Sequence, residues 1–191
     1  HDHLDAPDLR AAALSAMLHN AMREPVDAIW IGRDLGYRGG RRTGLALTDD
    51  VNIAKHAKRW DLMAERPTVG TAVAERTAAI IWSMLDQIDA RIFLWNVFPL
   101  HPHESGEPFT NRQHNASERR AGEELLQELI YLLRPSRIVA IGNDAAAAAH
   151  RISDTSVPVI CVRHPSYGGQ TQFLKQIREL YESISPAKSL F

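Results

Sequence analysis

The chain has 191 residues, 45% of them hydrophobic and 24% charged, the make-up of an ordinary globular protein with enough length to bury a substantial core. A net charge of −1 excludes a global pull towards nucleic acid, so any such contact must rest on a local patch. No apolar run approaches the ~18 residues of a membrane span, no signal-peptide pattern is visible, and the single cysteine, Cys161, excludes internal disulfides and thiolate-held metal clusters and fits a reducing, cytoplasmic interior.

In chain order, Leu9, Ala13, Leu14, Met17 and Leu18 recur at helical spacing within residues 8–23. "DAIWIG" (27–32) reads as a buried strand, followed by a long loop, "RDLGYRGGRRTGLALTDD" (33–50). Residues 51–66 read as a helix with a basic start, and residues 72–88 as another, with Ala78, Ile81, Leu85 and Ile88 on one stripe. "ARIFLWN" (90–96) is a second strand, with a second long loop at 97–116. A helix over 117–133 places Leu125, Leu126, Leu129 and Leu132 together, and "SRIVAIG" (136–142) forms a third strand. Asn143 suits the N-cap of the helix "NDAAAAAHRI". "VPVICV" (157–162) is the fourth strand, and "TQFLKQIRELY" closes the pattern as an amphipathic helix. This alternation predicts an α/β fold, a three-layer sandwich with a central, mainly parallel four-stranded sheet flanked by helices, as one domain over residues 1–191.

Ligands of such sheets bind outside the carboxyl ends of the strands, and long structured loops there are usually functional. The first loop interleaves Arg33, Arg38, Arg41 and Arg42 with four glycines, a combination that brings backbone amides and guanidinium forks up to phosphate. Its plainer alternative is a solvated flexible loop. Asp34 in that basic setting is expected to stay ionised; its plainer role is a salt bridge to one of the arginines. Asn96, at the second strand tip, has the donors and acceptor to read a base edge, or else stabilises a turn. His101, His103 and Glu104 are closely spaced, but no further motif completes a metal site. Arg112, His114, Arg119 and Arg120 add positive charge. His164, restrained by Pro165, is placed to donate a hydrogen bond to a developing anion, with Arg163 favouring its neutral form. Ser166 lacks a nucleophile elbow, and there is neither a G-x-G-x-x-G fingerprint nor a Walker A lysine.

Taken together, "WIGRDLGYRGGRRTG", "LWNVFPLHP" and "RHPSYGG" resemble, in order, the first motif, the base-reading asparagine segment and the His-Pro-Ser motif of the uracil-DNA glycosylase superfamily. The resemblance covers roughly residues 25–180. It implies a monofunctional DNA glycosylase that flips a uracil-type or C5-modified pyrimidine out of DNA and hydrolyses its N-glycosidic bond. Asp34 then positions water and stabilises the sugar cation, Asn96 binds the base, and His164 stabilises the departing base anion. Gly36, Tyr37, Leu47 and Phe98 belong to the base pocket. Arg38, Arg41, Arg42, Arg112, Pro165, Ser166, Tyr167 and Gly168 meet the DNA, Tyr167 or Gln170 filling the gap in the duplex. No cofactor and no metal is implied, the partner is DNA, and a monomer is the default.

Three positions depart from the family pattern: Leu35 replaces a usual proline, Gly36 a tyrosine that rejects C5 substituents, and Leu47 a phenylalanine that stacks on uracil. The opened gate raises an alternative, a phage-defence glycosylase acting on hydroxymethylated or glucosylated pyrimidines. A non-catalytic DNA-binding relative and a small-molecule α/β enzyme are the other readings.

Overall fold

The computed structural model describes residue 2 and residues 4–152 and 157–182. Among the described residues, eleven elements follow one another: α1 (Ala6–Ala21), β1 (Ala28–Asp34), α2 (Gly40–Thr43), α3 (Ile53–Lys58), α4 (Arg76–Leu85), β2 (Ile92–Phe98), α5 (Ala116–Leu133), β3 (Ile138–Ile141), α6 (Asn143–Ile152), β4 (Val159–Val162) and α7 (Gln170–Glu182). The four strands form one sheet in the order β2-β1-β3-β4, and every pair is parallel.

Period-two alternation sorts the strand residues onto two faces. Ile29, Ile31 and Phe93 join Met17 of α1, Leu126 of α5 and Ala149 of α6 in one core. Ala28, Trp30 and Leu94 join Ile81 of α4 and Phe173 of α7 in the other. Both faces are covered, which is why these strands read as continuous apolar runs. Trp30 lies edge-on to Phe173 at 6.5 Å and donates its indole N–H to Tyr181 Oη at 2.8 Å, pinning α7 beneath the central strand.

One glycine sets how deeply α5 seats. A Cβ on Gly122 would lie 2.0 Å from the Val97 carbonyl oxygen and 3.1 Å from Phe98 Cα. Only a bare Cα lets this helix rest against the end of β2.

Two expected features differ. The helix predicted over 51–66 stops at Lys58, because Asp61 turns left-handed at φ 55° and Leu62 N donates back to Ala57 O, a Schellman-type stop. Trp60 then packs on Phe93, and Arg59 bonds the carbonyls of Leu85, Ile88 and Ala90 at and just past the end of α4. Asn143, expected as a cap, is the first residue of α6, and Gly142 precedes it at φ 95°. Among the described residues no helix is long and apolar enough to cross a membrane.

A buried polar knot ties the loop after α2 to α3 and α4. Thr48 donates to Ala46 O, leaving its oxygen to accept from His56 Nδ1 at 2.9 Å. Asp49 binds Asn52 and the Glu75 amide. Burial, aided by Arg59, pushes the His56 imidazole down to about 3. Unfolded, the same ring titrates near its usual 6.5, so between these values the unfolded chain binds the extra proton and stability falls as pH falls. Denaturation midpoints should therefore drop on acidification, with stability on the order of 3 kcal/mol lower at pH 4 than at pH 7. His56→Asn, which keeps a donor for Thr48, should flatten the slope between pH 6.5 and 5; an unchanged slope would assign it to other groups.

Candidate active site

The carboxyl ends of β1, β2, β3 and β4 open into one cleft of about 630 Å³. Parallel register does the assembly: Gly32 pairs with Asn96, Ile31 with Ala140, and Ile141 with Val162. Residues far apart in sequence, Asp34, Asn96 and His164, thereby line the same space.

Asn96 is 1% exposed, and its Oδ1 has no hydrogen-bond partner among the described residues. Such an orphaned acceptor costs free energy unless something donates to it. Gly32 makes room for it: a Cβ there would stand 2.5 Å from this oxygen and 2.9 Å from Leu47 Cδ2. The cleft is therefore lined by an unfilled acceptor, suited to an N–H donor on a ligand.

His164 is set by the turn that follows it. Its Nδ1 accepts from the Ser166 amide at 3.2 Å and sits 2.7 Å from Ser166 Oγ. With Nδ1 an acceptor, the neutral ring carries its proton on Nε2. Burial pushes the imidazole below its usual range, with Arg33 and Arg163 adding and Glu75 opposing. The ring is thus a neutral N–H donor at physiological pH. The two glycines after it serve different needs. Gly168 turns left-handed at φ 77°, while a Cβ on Gly169 would meet the His164 carbonyl oxygen at 2.1 Å.

Asp34 has a 7% exposed side chain. Arg33 Nε donates to its Oδ2 at 2.8 Å, and His114 Nδ1 bonds its Oδ1. Arg33 in turn reaches Asp144 at 3.1 Å, in the first turn of α6. One cleft is thus lined by a carboxylate held by two donors, an imidazole and a buried carboxamide.

The remaining expected residues distribute unevenly. Gly36, Leu47, Arg112, Ser166 and Tyr167 line the cleft. Leu47 is held at φ 54°, with its carbonyl accepting from Trp82 Nε1. Tyr37 and Phe98 do not line it: Arg38 lies over the Tyr37 ring, and Phe98 packs against His114. Arg38 is exposed, and Arg41 rests over Phe109. Arg42 points inward instead of towards solvent, because the fully buried Asp50 carboxylate takes its guanidinium at 2.7 Å. Burial pushes Asp50 up, but that pairing and the Val73 and Thr68 donors hold it below the usual carboxylate range. Arg112 lies at the rim but forks Glu118 with bonds of 2.7 and 2.6 Å. Pro165 is buried, Gly168 is exposed, and Tyr167 is 97% exposed. His101 and His103 stack at 5.6 Å, and among the described residues no three side chains of metal-binding type converge.

Several cleft residues, Glu75, Thr77 and Asn111 among them, carried no signal in the sequence. Glu75 caps α4 by accepting from the Thr77 and Ala78 amides, and Thr77 follows it at the wall. Asn111 Oδ1 accepts from the Tyr37 amide at 3.0 Å and contacts His101, linking the two long loops. His114, read as general positive charge, is Asp34's partner; the clue was its place one residue before the capping box Asn115–Glu118.

A protein-family model described as the Uracil DNA glycosylase superfamily matches residues 26–184. Comparison with curated proteins finds no match.

Proposed function

The chain belongs to the uracil-DNA glycosylase superfamily, whose chemistry is N-glycosyl hydrolysis in DNA, and from that premise we propose that it excises a flipped-out pyrimidine, uracil-type or C5-modified. The observation that carries this reading is one cleft lined together by a carboxylate held by two donors, Asp34, a neutral N–H donor, His164, and an unsatisfied acceptor, Asn96 Oδ1.

These groups match the demands of the reaction. As the bond from C1′ to the base nitrogen breaks, its electron pair goes to the base and positive charge builds on the sugar. His164 Nε2–H stabilises the base anion, and Asp34 stabilises the cation. Water adds its oxygen to C1′, its proton passes through the Asp34 carboxylate to solvent, and an abasic site remains. The freed base takes a proton from water. Asn96 Oδ1 accepts the ring N–H of a uracil-type base, which favours that base over one presenting only an acceptor there. Arg38, Arg41 and Arg163 are the cations for the DNA backbone, and Tyr167, exposed at a left-handed turn, fills the space left in the stack. Arg42 takes no part, since it is committed to Asp50.

A second reading, favoured by the open wall at Gly36, is that the base carries a bulky C5 group, as hydroxymethylated or glucosylated phage pyrimidines do, and that the role is defence. A Cβ at Gly36 meets nothing within 4 Å, and about 630 Å³ lies in the range that holds drug-sized ligands (roughly 300–1,000 Å³). The deciding experiment offers oligonucleotides carrying uracil, 5-hydroxymethyluracil, hydroxymethylcytosine or its glucosylated form, with alkali to reveal abasic sites. Uracil release supports base repair; release of modified pyrimidines alone supports defence; no release from any of them overturns the glycosylase reading in favour of DNA binding alone. A tyrosine at position 36 should act as a gate. Gly36→Tyr is expected to keep uracil release within about tenfold while cutting release of a C5-substituted base by about 100-fold; equal effects on both would show that this wall does not face C5.

A further inference from the structure

We infer that His114 is a positioning residue that holds the Asp34 carboxylate in the orientation needed for water attack; the inference rests on the role of Asp34 given above. Asp34 is the last residue of β1, where a carboxylate with free torsions would sample many orientations. Here each oxygen meets one donor, Arg33 Nε on Oδ2 and His114 Nδ1 on Oδ1. The two donors arrive from different elements, so together they fix both the direction and the plane of the carboxylate. What remains open to water is the second lone pair of each oxygen.

The imidazole is itself held by a local device. Its side chain is 12% exposed and lies edge-on to Phe98 at 6.2 Å and 62°. On one side of it in sequence, Arg112 forks Glu118 and also donates to His103 O at 2.9 Å. On the other side, the Asn115 amide donates to the same Glu118 at 2.7 Å, while Asn115 Oδ1 caps Ser117 and Glu118. The segment "RQHNASE" (112–118) is therefore closed on one carboxylate at both ends, with His114 between. The Arg112 fork, chiefly, pulls Glu118 down to about 2, so the clamp stays charged across the working range of pH. Beneath it, α5 is seated against β2 through Gly122, which fixes the distance from this segment to the β1 tip. A packed helix, a capping box and an ion pair all converge on one ring whose polar contact is Asp34.

An Asn in place of His114 would put its Nδ2 near the position of the imidazole Nδ1, whereas Gln would place its donor one carbon further out. The test measures single-turnover base release and DNA affinity for wild type, Asp34→Asn, His114→Ala, His114→Asn and His114→Gln, with thermal melts for each. The substrate is an oligonucleotide carrying uracil or 5-hydroxymethyluracil, whichever the wild type releases. His114→Ala is expected to lose about 100-fold in maximal rate with affinity within about threefold. His114→Asn should recover most of that loss and His114→Gln little of it. If His114→Ala fails to fold, the Asn and Gln pair, both donors of similar polarity, carries the comparison. Rates within about threefold of wild type for every His114 variant, beside an inactive Asp34→Asn, would overturn the role of His114 and leave that of Asp34 standing. Equal losses in Asn and Gln that follow their melting temperatures would reduce His114 to packing and likewise overturn it. An Asp34→Asn protein as active as wild type would instead remove the reading on which the inference rests.

Discussion

Replacing Asp34 by Asn is expected to slow single-turnover base release about 1,000-fold while DNA affinity stays equal or becomes slightly tighter. The substitution keeps the shape of the side chain and deletes its charge. A carboxylate about 4 Å from a developing unit charge contributes about 4 kcal/mol at an effective dielectric near 20. At 1.36 kcal/mol per decade that is about three orders of magnitude. The amide also fails on local grounds. Arg33 Nε and His114 Nδ1 each donate to one oxygen of Asp34, and Asn can offer an acceptor to only one of them. Affinity moves the other way, because removing a negative charge from a surface that meets phosphates lowers repulsion. Alkali-revealed cleavage and fluorescence anisotropy measure the two quantities separately. Release within about tenfold of wild type would sink the assignment of Asp34 as the charge that stabilises the sugar.

The second large effect is structural, and it reaches the site from a distance. Gly122→Ala puts a methyl 2.0 Å from a main-chain oxygen of β2, where neither side can yield by changing rotamer. The helix must move outward. Forced overpacking of this kind costs about 1–3 kcal/mol, and for a domain of this size each kcal/mol lowers the melting temperature by about 2–4 °C. The same movement carries the start of α5 and His114 away from Asp34, so activity should fall by about 100-fold, out of proportion to the loss of stability. Gly106→Ala, whose Cβ would meet nothing within 4 Å but whose φ of 78° strains any side chain, should lose stability without the added loss of activity. Melting curves and single-turnover rates on both proteins check the pair. Full activity in a destabilised Gly122→Ala would show that the site does not depend on the seat of α5.

How much of this was legible in the sequence depends on the reach of the interactions. The strands could be read because both faces of the sheet are covered, so "AIWI", "IFLW" and "IVAI" carry no polar interruption. Asp34, Asn96 and His164 stood out because each sits at or beside a strand end, where such folds bind ligands. The order β2-β1-β3-β4 left no local trace. His114 was hidden because its partner is 80 positions away, and nothing in the periodicity of a loop tells where it returns. Arg42 misled for the opposite reason: it lies among glycines and arginines, and only the burial of Asp50, eight positions on, turns a phosphate-like patch into an internal ion pair. The helix expected through residue 66 kept its apolar spacing at Ala57, Trp60 and Ala64, yet one left-handed residue, Asp61, ended it.

The sheet order bears on when, during synthesis, the protein can act. The carboxylate and the carboxamide come from β1 and β2, which pair directly, whereas His164 follows β4, which within the sheet pairs with β3 alone. A growing chain that has released its first three strands from the ribosome can hold Asp34 and Asn96 in register and still lack the imidazole. The His164 turn is then locked only when α7 docks, through the Gly169 carbonyl that Phe173 N bonds and through Tyr181 on Trp30. On the proposed reading, pairing of β1 with β2 brings the carboxylate and carboxamide together, and the β4–α7 segment completes the catalyst with its imidazole.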